Sequence, residues 1–175
     1  MSTGQLVQSI NMVLCLKFHV FYIFLERHHA SGRTGLGILR GFTLKDGAIG
    51  STVAHDSHNL VVCGDNDADM YKAVDVLEES GGGYCVIHNG IVLAHLPLPI
   101  AGLMSDAPLD EILEGQHALL DAAHRLGIST TSDPFTTLSF IALPVIPAVR
   151  LTDMGLFDVT SMEFFREKKR RNPSC

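Results

Sequence analysis

The sequence predicts a single α+β domain in which a mixed or antiparallel sheet is backed by two main helices. Three observations carry that prediction. Short apolar runs bounded by Gly, Asn or Asp recur at residues 49–54, 60–63, 84–88 and 91–96, the pattern of buried strands. Two longer stretches place apolar residues three and four apart, the spacing of one helix face. At 175 residues and 46% hydrophobic, the chain is long enough to bury one core, and no internal repeat or linker divides it.

The elements follow in order. Residues 6–25 are apolar, but Gln8, Asn11, Lys17 and His19 interrupt them. A membrane span needs ~20 nearly unbroken apolar residues. A secretory leader needs a basic start and a small-residue cleavage site. Neither pattern is met, so the stretch is expected to pack on the domain as helix or strand, or to be a poorly ordered lead-in. Glycines at 32, 35, 37, 41, 47 and 50 then punctuate residues 31–50, which predicts turns and short strands. Strands are expected at 49–54 and 60–63. Asp65, Asn66 and Asp67 cap a helix with apolar residues at Met70, Ala73, Val74 and Leu77, and Gly81, Gly82 and Gly83 stop it. Residues 84–88 and 91–96 form a hairpin around Asn89-Gly90, a strong two-residue turn signal. His88 and His95 flank that turn, where a hairpin register would allow them to face each other; ordinary structural histidines are the plainer alternative.

Residues 97–106 contain Pro97 and Pro99, which lack amide donors, so this stretch is an apolar loop. Pro108 suits a first helical turn and opens the second helix. Its stripe is Leu109, Ile112, Leu113, Gln116, Leu119, Leu120 and Ala123, and Gly127 closes it. From Asp133 the pattern breaks into irregular apolar chain, with Pro134, Pro144 and Pro147. Residues 150–165 read as turn-rich chain wrapping the surface. The basic run at 166–171 reads as a solvated tail.

Composition excludes some classes. A formal net charge of −6 argues against nucleic acid, which demands a basic face. Cys15, Cys63, Cys85 and Cys175 show no paired spacing, and Cys63 and Cys85 lie in strand patterns as small hydrophobes. That usage predicts no disulfide framework and a cytoplasmic protein, with no membrane partner.

The densest chemistry stands between the first two strand runs: His55, Asp56, Ser57, His58 and Asn59. A turn needs only Gly, Asn or Asp. Two imidazoles, a carboxylate and a hydroxyl exceed that need, and polar groups at a strand end are the raw material of a site. His55, Asp56, Ser57 and His58 are therefore the candidate site-lining residues. Asp56 or either histidine suits a proton shuttle, or a hydrogen bond to a heteroaromatic ring. A bare polar turn is the plainer alternative. Ser, His and Asp within four residues make no triad, whose members meet from distant parts of a fold. The spacing of His55 and His58 would suit a shared metal on a helix, and here it follows a strand. HxH, HExxH and paired-cysteine signatures are absent. The Gly81 to Gly83 run follows a helix instead of preceding one, so it is no phosphate loop. Asp106 and Asp133, beside proline-bearing loops, read as caps.

Several longer strings resemble one family. Gly35-Leu36-Gly37, Gly41-Phe42-Thr43-Leu44, Val53-Ala54-His55-Asp56-Ser57-His58-Asn59, Leu96-Pro97-Leu98-Pro99-Ile100-Ala101-Gly102-Leu103-Met104-Ser105, Asp133-Pro134-Phe135 and Ala142-Leu143-Pro144-Val145-Ile146-Pro147 look like the C-terminal domain of adenine deaminase, in one order. The resemblance covers residues 26–165, with residues 1–25 unmatched and 166–175 a basic tail. It implies an amidohydrolase-type hydrolase of purine metabolism that converts adenine and water to hypoxanthine and ammonia. It also implies a (β/α)8 barrel with two divalent metals, manganese or iron, whose ligands lie upstream of the part represented here. This chain is then a truncated relative or one product of a split gene, without a cofactor of its own and inactive alone. Its expected partners are adenine as family substrate, a separate barrel domain, or a second copy packed through the apolar 97–104 loop. Two other readings stand beside it: a non-catalytic module that binds a ligand or partner, and a small metal enzyme built on His55, Asp56 and His58.

Overall fold

Among the described residues, every hydrogen-bonded neighbour in the main sheet runs antiparallel, and the strand order is β2-β1-β4-β3-β5-β6. The computed structural model describes residues 19–165. The strands are β1 (His19–Leu25), β2 (Thr34–Arg40), β3 (Gly47–Ser51), β4 (Leu60–Gly64), β5 (Gly83–His88) and β6 (Ile91–Pro97). β3 and β4 sit at the centre and are buried at all five positions each, as strands covered on both faces must be.

Alternate residues of a strand point to opposite faces, so each face recruits its own helix. Helix α1 (Asp67–Glu79) covers one face, setting Met70, Ala73, Val76 and Leu77 against Ile23, Ala48, Val62 and Ile87. Helices α2 (Leu109–Arg125) and α3 (Pro134–Ile141) cover the other, where Leu119, Ala122, Ala123, Phe135 and Leu138 meet Tyr22, Phe24, Ile49, Val61 and Val86. Cys63 and Cys85 are free thiols inside these layers. Burial pushes both thiols up, Cys85 to about 12, which leaves them unreactive hydrophobes. Among the described residues, no helix is long and apolar enough to cross a membrane.

Local signals account for the turns. The Asn66 side chain accepts the Asp69 amide at 2.9 Å and caps α1. Asn89 and Gly90 take φ of +50° and +76°, the two left-handed positions of a type I′ hairpin turn.

Residues 19–25 are β1, bonded to β2 on one side and β4 on the other, a packed strand of the kind expected for part of the 6–25 stretch; residues 6–18 and the basic tail lie outside the described residues. The structure differs from expectation in four places. The irregular stretch after Asp133 contains α3, because the Asp133 carboxylate accepts the amides of Phe135 and Thr136 while Pro134 needs no acceptor. The α2 stripe is buried only towards its C-terminal half, and Leu109 and Leu113 are exposed. Residues 149–164 form a second antiparallel sheet of β7 (Val149–Thr152), β8 (Gly155–Asp158) and β9 (Glu163–Phe164). It packs closely beside β2, where a Cβ on Gly35 would lie 2.0 Å from the Thr152 carbonyl oxygen. His88 and His95 do not face each other: the register pairs His88 with Ile91 and His95 with Cys85.

Candidate functional site

β1, β3 and β6 finish at the same end of the sheet at which β4 and β5 begin, so four connections gather there: residues 26–33, 52–59, 80–82 and 98–108. Backbone and hydroxyl bonds stitch them together. The Thr52 hydroxyl donates to Gly102 O at 2.7 Å and accepts the Gly83 amide at 2.8 Å. The Leu98 amide donates to Gly82 O at 2.9 Å.

The first connection turns around Glu26. Its carboxylate accepts the amides of His28 (2.6 Å), His29 (2.8 Å) and Ser31 (3.1 Å), and the Ser31 hydroxyl at 2.7 Å. The Ser31 hydroxyl, more than any other group, holds this carboxyl down to about 2. Arg27 follows. Its Nε donates to His58 O at 2.6 Å, and its Nη2 donates to Ala101 O at 2.6 Å.

The second connection carries the candidate residues. The His58 amide donates to Ala54 O at 2.6 Å, closing a turn that throws Asp56 and Ser57 outward. The His55 amide donates to the Ser139 hydroxyl at 3.4 Å, and its ring lies 5.2 Å from that of Phe140, so α3 supports this loop from below. The His55 and His58 rings sit 6.0 Å apart. His28 Nε2 donates to Ser57 O at 2.7 Å, which sets the proton on that nitrogen. His58 is half-buried, and its Nδ1 is enclosed without a hydrogen-bond partner. Burial first, then the neighbouring His55 and Arg27 charges, holds its imidazole below the ordinary histidine value. The ring is therefore neutral at neutral pH and able to accept a proton.

The four residues picked from sequence are thus one loop, with the two imidazoles held near each other and the carboxylate and hydroxyl at an exposed tip. Arg27, His28, Thr52, Ser139 and Phe140 complete the end and were not singled out. An Asp-Pro start for α3 was available as a signal for Ser139 and Phe140. Arg27 offered none, because its partners are backbone carbonyls.

Among the described residues, no three His, Cys, Asp or Glu side chains converge as metal ligands. Two imidazoles 6.0 Å apart, without a third donor, do not make the ligand set of a metal pair.

A family model described as "Adenine deaminase C-terminal domain" matches residues 8–163. The chain is 57% identical over 141 residues to "Adenine deaminase" of Nitratidesulfovibrio vulgaris (strain DP4), covering 80% of this chain and 24% of that protein. It is 54% identical over 136 residues to "Adenine deaminase 2" of Carboxydothermus hydrogenoformans, covering 78% of this chain and 24% of the relative. It is 50% identical over 141 residues to "Adenine deaminase" of Bacillus pumilus (strain SAFR-032), covering 81% and 24%. The matched region spans about a quarter of the length of these relatives.

Proposed function

The chain belongs to the adenine deaminase C-terminal domain family, and from that premise we propose that it is the accessory domain of an enzyme that hydrolyses adenine to hypoxanthine and ammonia. In this reading the 55–58 loop lines the mouth of an active site whose metal chemistry, manganese or iron, belongs to the rest of a family-length protein. The ligands of that metal chemistry are assigned to the larger part, and the chain alone is proposed to be inactive on adenine. Free, buried Cys63 and Cys85 support a reducing compartment, the cytoplasm, as the place where it works.

The observation that carries this reading is the construction of the loop. His55 and His58 are held by Ser139, Ala54 and Arg27 while Asp56 and Ser57 face outward, an outlay of fixed polar groups that a mere turn does not need. A neutral His58 beside an exposed Asp56 suits relay of a proton, or a hydrogen bond to a purine ring nitrogen. Ile100 and Met104, exposed on the neighbouring loop, supply apolar surface for packing against the larger part of the enzyme.

The test follows the absorbance of adenine with added manganese. The chain alone should show no turnover, and a family-length relative should show it. Alanine at the positions matching Asp56 and His58 in that relative should lower kcat at least tenfold with metal content unchanged. Wild-type rates in both variants would remove the loop from the site. Turnover by the isolated chain that survives repurification and fails on substitution of His55 would instead give this domain a site of its own.

A further inference from the structure

We infer that Arg27 is a positioning residue that clamps the 55–58 loop and the 97–104 loop into one rigid face; the functional weight of that clamp rests on the proposal that the 55–58 loop lines an active site. Arg27 stands just past β1, two residues beyond Leu25. Its guanidinium donates from Nε to His58 O and from Nη2 to Ala101 O, each at 2.6 Å, across separations of 31 and 74 residues. Both acceptors sit on left-handed backbone: φ is +49° at His58 and +59° at Ala101. Residues with a Cβ hold that conformation only where their surroundings fix it. One planar fork supplies that fixing to both turns at once.

Three further observations narrow the role. The fork is packed against the second loop, since a Cβ on Gly102 would lie 2.8 Å from Nη2. The same loop is tied again to the first, because the Thr52 hydroxyl donates to Gly102 O at 2.7 Å. The ion pair recorded among the described residues is Arg33 with Asp153, and Arg27 spends its donors on carbonyls instead. A guanidinium can do this because its N–H vectors diverge in a fixed plane, whereas a lysine ammonium offers a single point.

The clamp also sets the surroundings of His58. The titratable and charged groups facing that ring are His55, Arg27, Asp56 and His28. With the loop clamped, the ring stays half-buried and its Nδ1 stays enclosed. A loosened loop would bring water to both.

The experiment compares Arg27→Lys and Arg27→Gln in the full 175-residue chain. Lysine keeps the charge and loses the fork. Arg27→Lys should speed amide exchange about tenfold or more at His58 and, together with it, at Leu103 and Met104, while the Gly90 amide at the far end stays as in the parent. The His58 imidazole, followed by NMR, should titrate at higher pH in Arg27→Lys, and higher again in Arg27→Gln. Parental protection of both loops in Arg27→Lys, or release of one loop alone, would overturn the clamp. In a family-length relative with Arg and both His at the matching positions, the lysine variant should lower kcat with KM and metal content unchanged. Loosened loops with unchanged kcat would overturn the active-site reading and leave the clamp standing.

Discussion

The buried carboxylate of Asp69 on α1 accepts the amide of Gly90 at 2.6 Å, joining the helix to the tip of the β5–β6 hairpin. Its other oxygen takes the Asn89 amide at 2.9 Å and the Asn66 side-chain amide at 3.0 Å. A type I′ turn leaves these amides without partners of their own, and the helix supplies the acceptor. The far end of the sheet is fixed in this way, opposite the end where the candidate loop lies.

Removing that carboxylate should therefore be costly. Asp69→Ala leaves two turn amides without their acceptor and should lower unfolding stability by ~3 kcal/mol, on the scale of a hydrogen-bonded buried charge. Urea denaturation checks it, and a loss under ~1 kcal/mol would show that water replaces the carboxylate freely.

Much of this end was readable in the sequence, and the reasons are local. Asn89-Gly90 specifies its turn through two left-handed positions, and Asn66 with Gly81 to Gly83 marks both ends of α1, so short-range chemistry sufficed. Where the outcome depends on what covers a face, pattern alone failed: Leu109 and Leu113 repeat with helical spacing and remain exposed. The prolines around α3 read as breaks, although Asp133-Pro134 is a helix start once the Asp133 side chain turns back on Phe135 and Thr136. The 55–58 loop was visible because its residue types exceed a turn's needs. Arg27 was not, because a side chain that serves distant carbonyls leaves no trace in spacing.

The close approach at Gly82 should tolerate no side chain. Its φ is +119°, and a Cβ there would lie 2.5 Å from Gly102 Cα and 2.7 Å from the Thr52 hydroxyl oxygen. Gly82→Ala adds backbone strain to a clash with the loop that Arg27 holds, and should cost about 3 kcal/mol or more. Gly90→Ala, at φ +76° with nothing within 4 Å, isolates the conformational part and should cost ~1 kcal/mol. Equal losses in thermal or urea unfolding would mean that the contact at Gly82 relaxes at little cost.

Tyr22 links the core to the candidate loop through α3. Its hydroxyl, fully buried, donates to Leu138 O at 3.2 Å, and burial pushes its pKa up so that the proton stays in place. The next two residues of α3 are Ser139 and Phe140, which hold the His55 amide and ring. Tyr22→Phe should lower stability by ~1 kcal/mol and speed exchange of the His55 amide. A stability loss that leaves His55 untouched would show that α3 holds the loop without help from Tyr22.

Glu26 makes the first connection sensitive to acid. Its folded carboxyl is held down to about 2 from an ordinary 4.5, because the Ser31 hydroxyl and the amides of Ser31, His29 and His28 all favour the ionised form. The contribution of that carboxylate is therefore complete above pH 4.5, declines as the pH falls below that value, and is gone once the pH passes through about 2. Amide exchange at His29 and Ser31, corrected for intrinsic rates, should lose protection across that window. Glu26→Gln should remove the window, since its amide does not titrate, and should leave the 26–31 turn less protected at neutral pH. Because Arg27 is the next residue, the same acid step should also reach the His58 amide, by way of the guanidinium that holds its carbonyl. An identical acid profile in Glu26→Gln would move the origin of the transition away from this carboxylate.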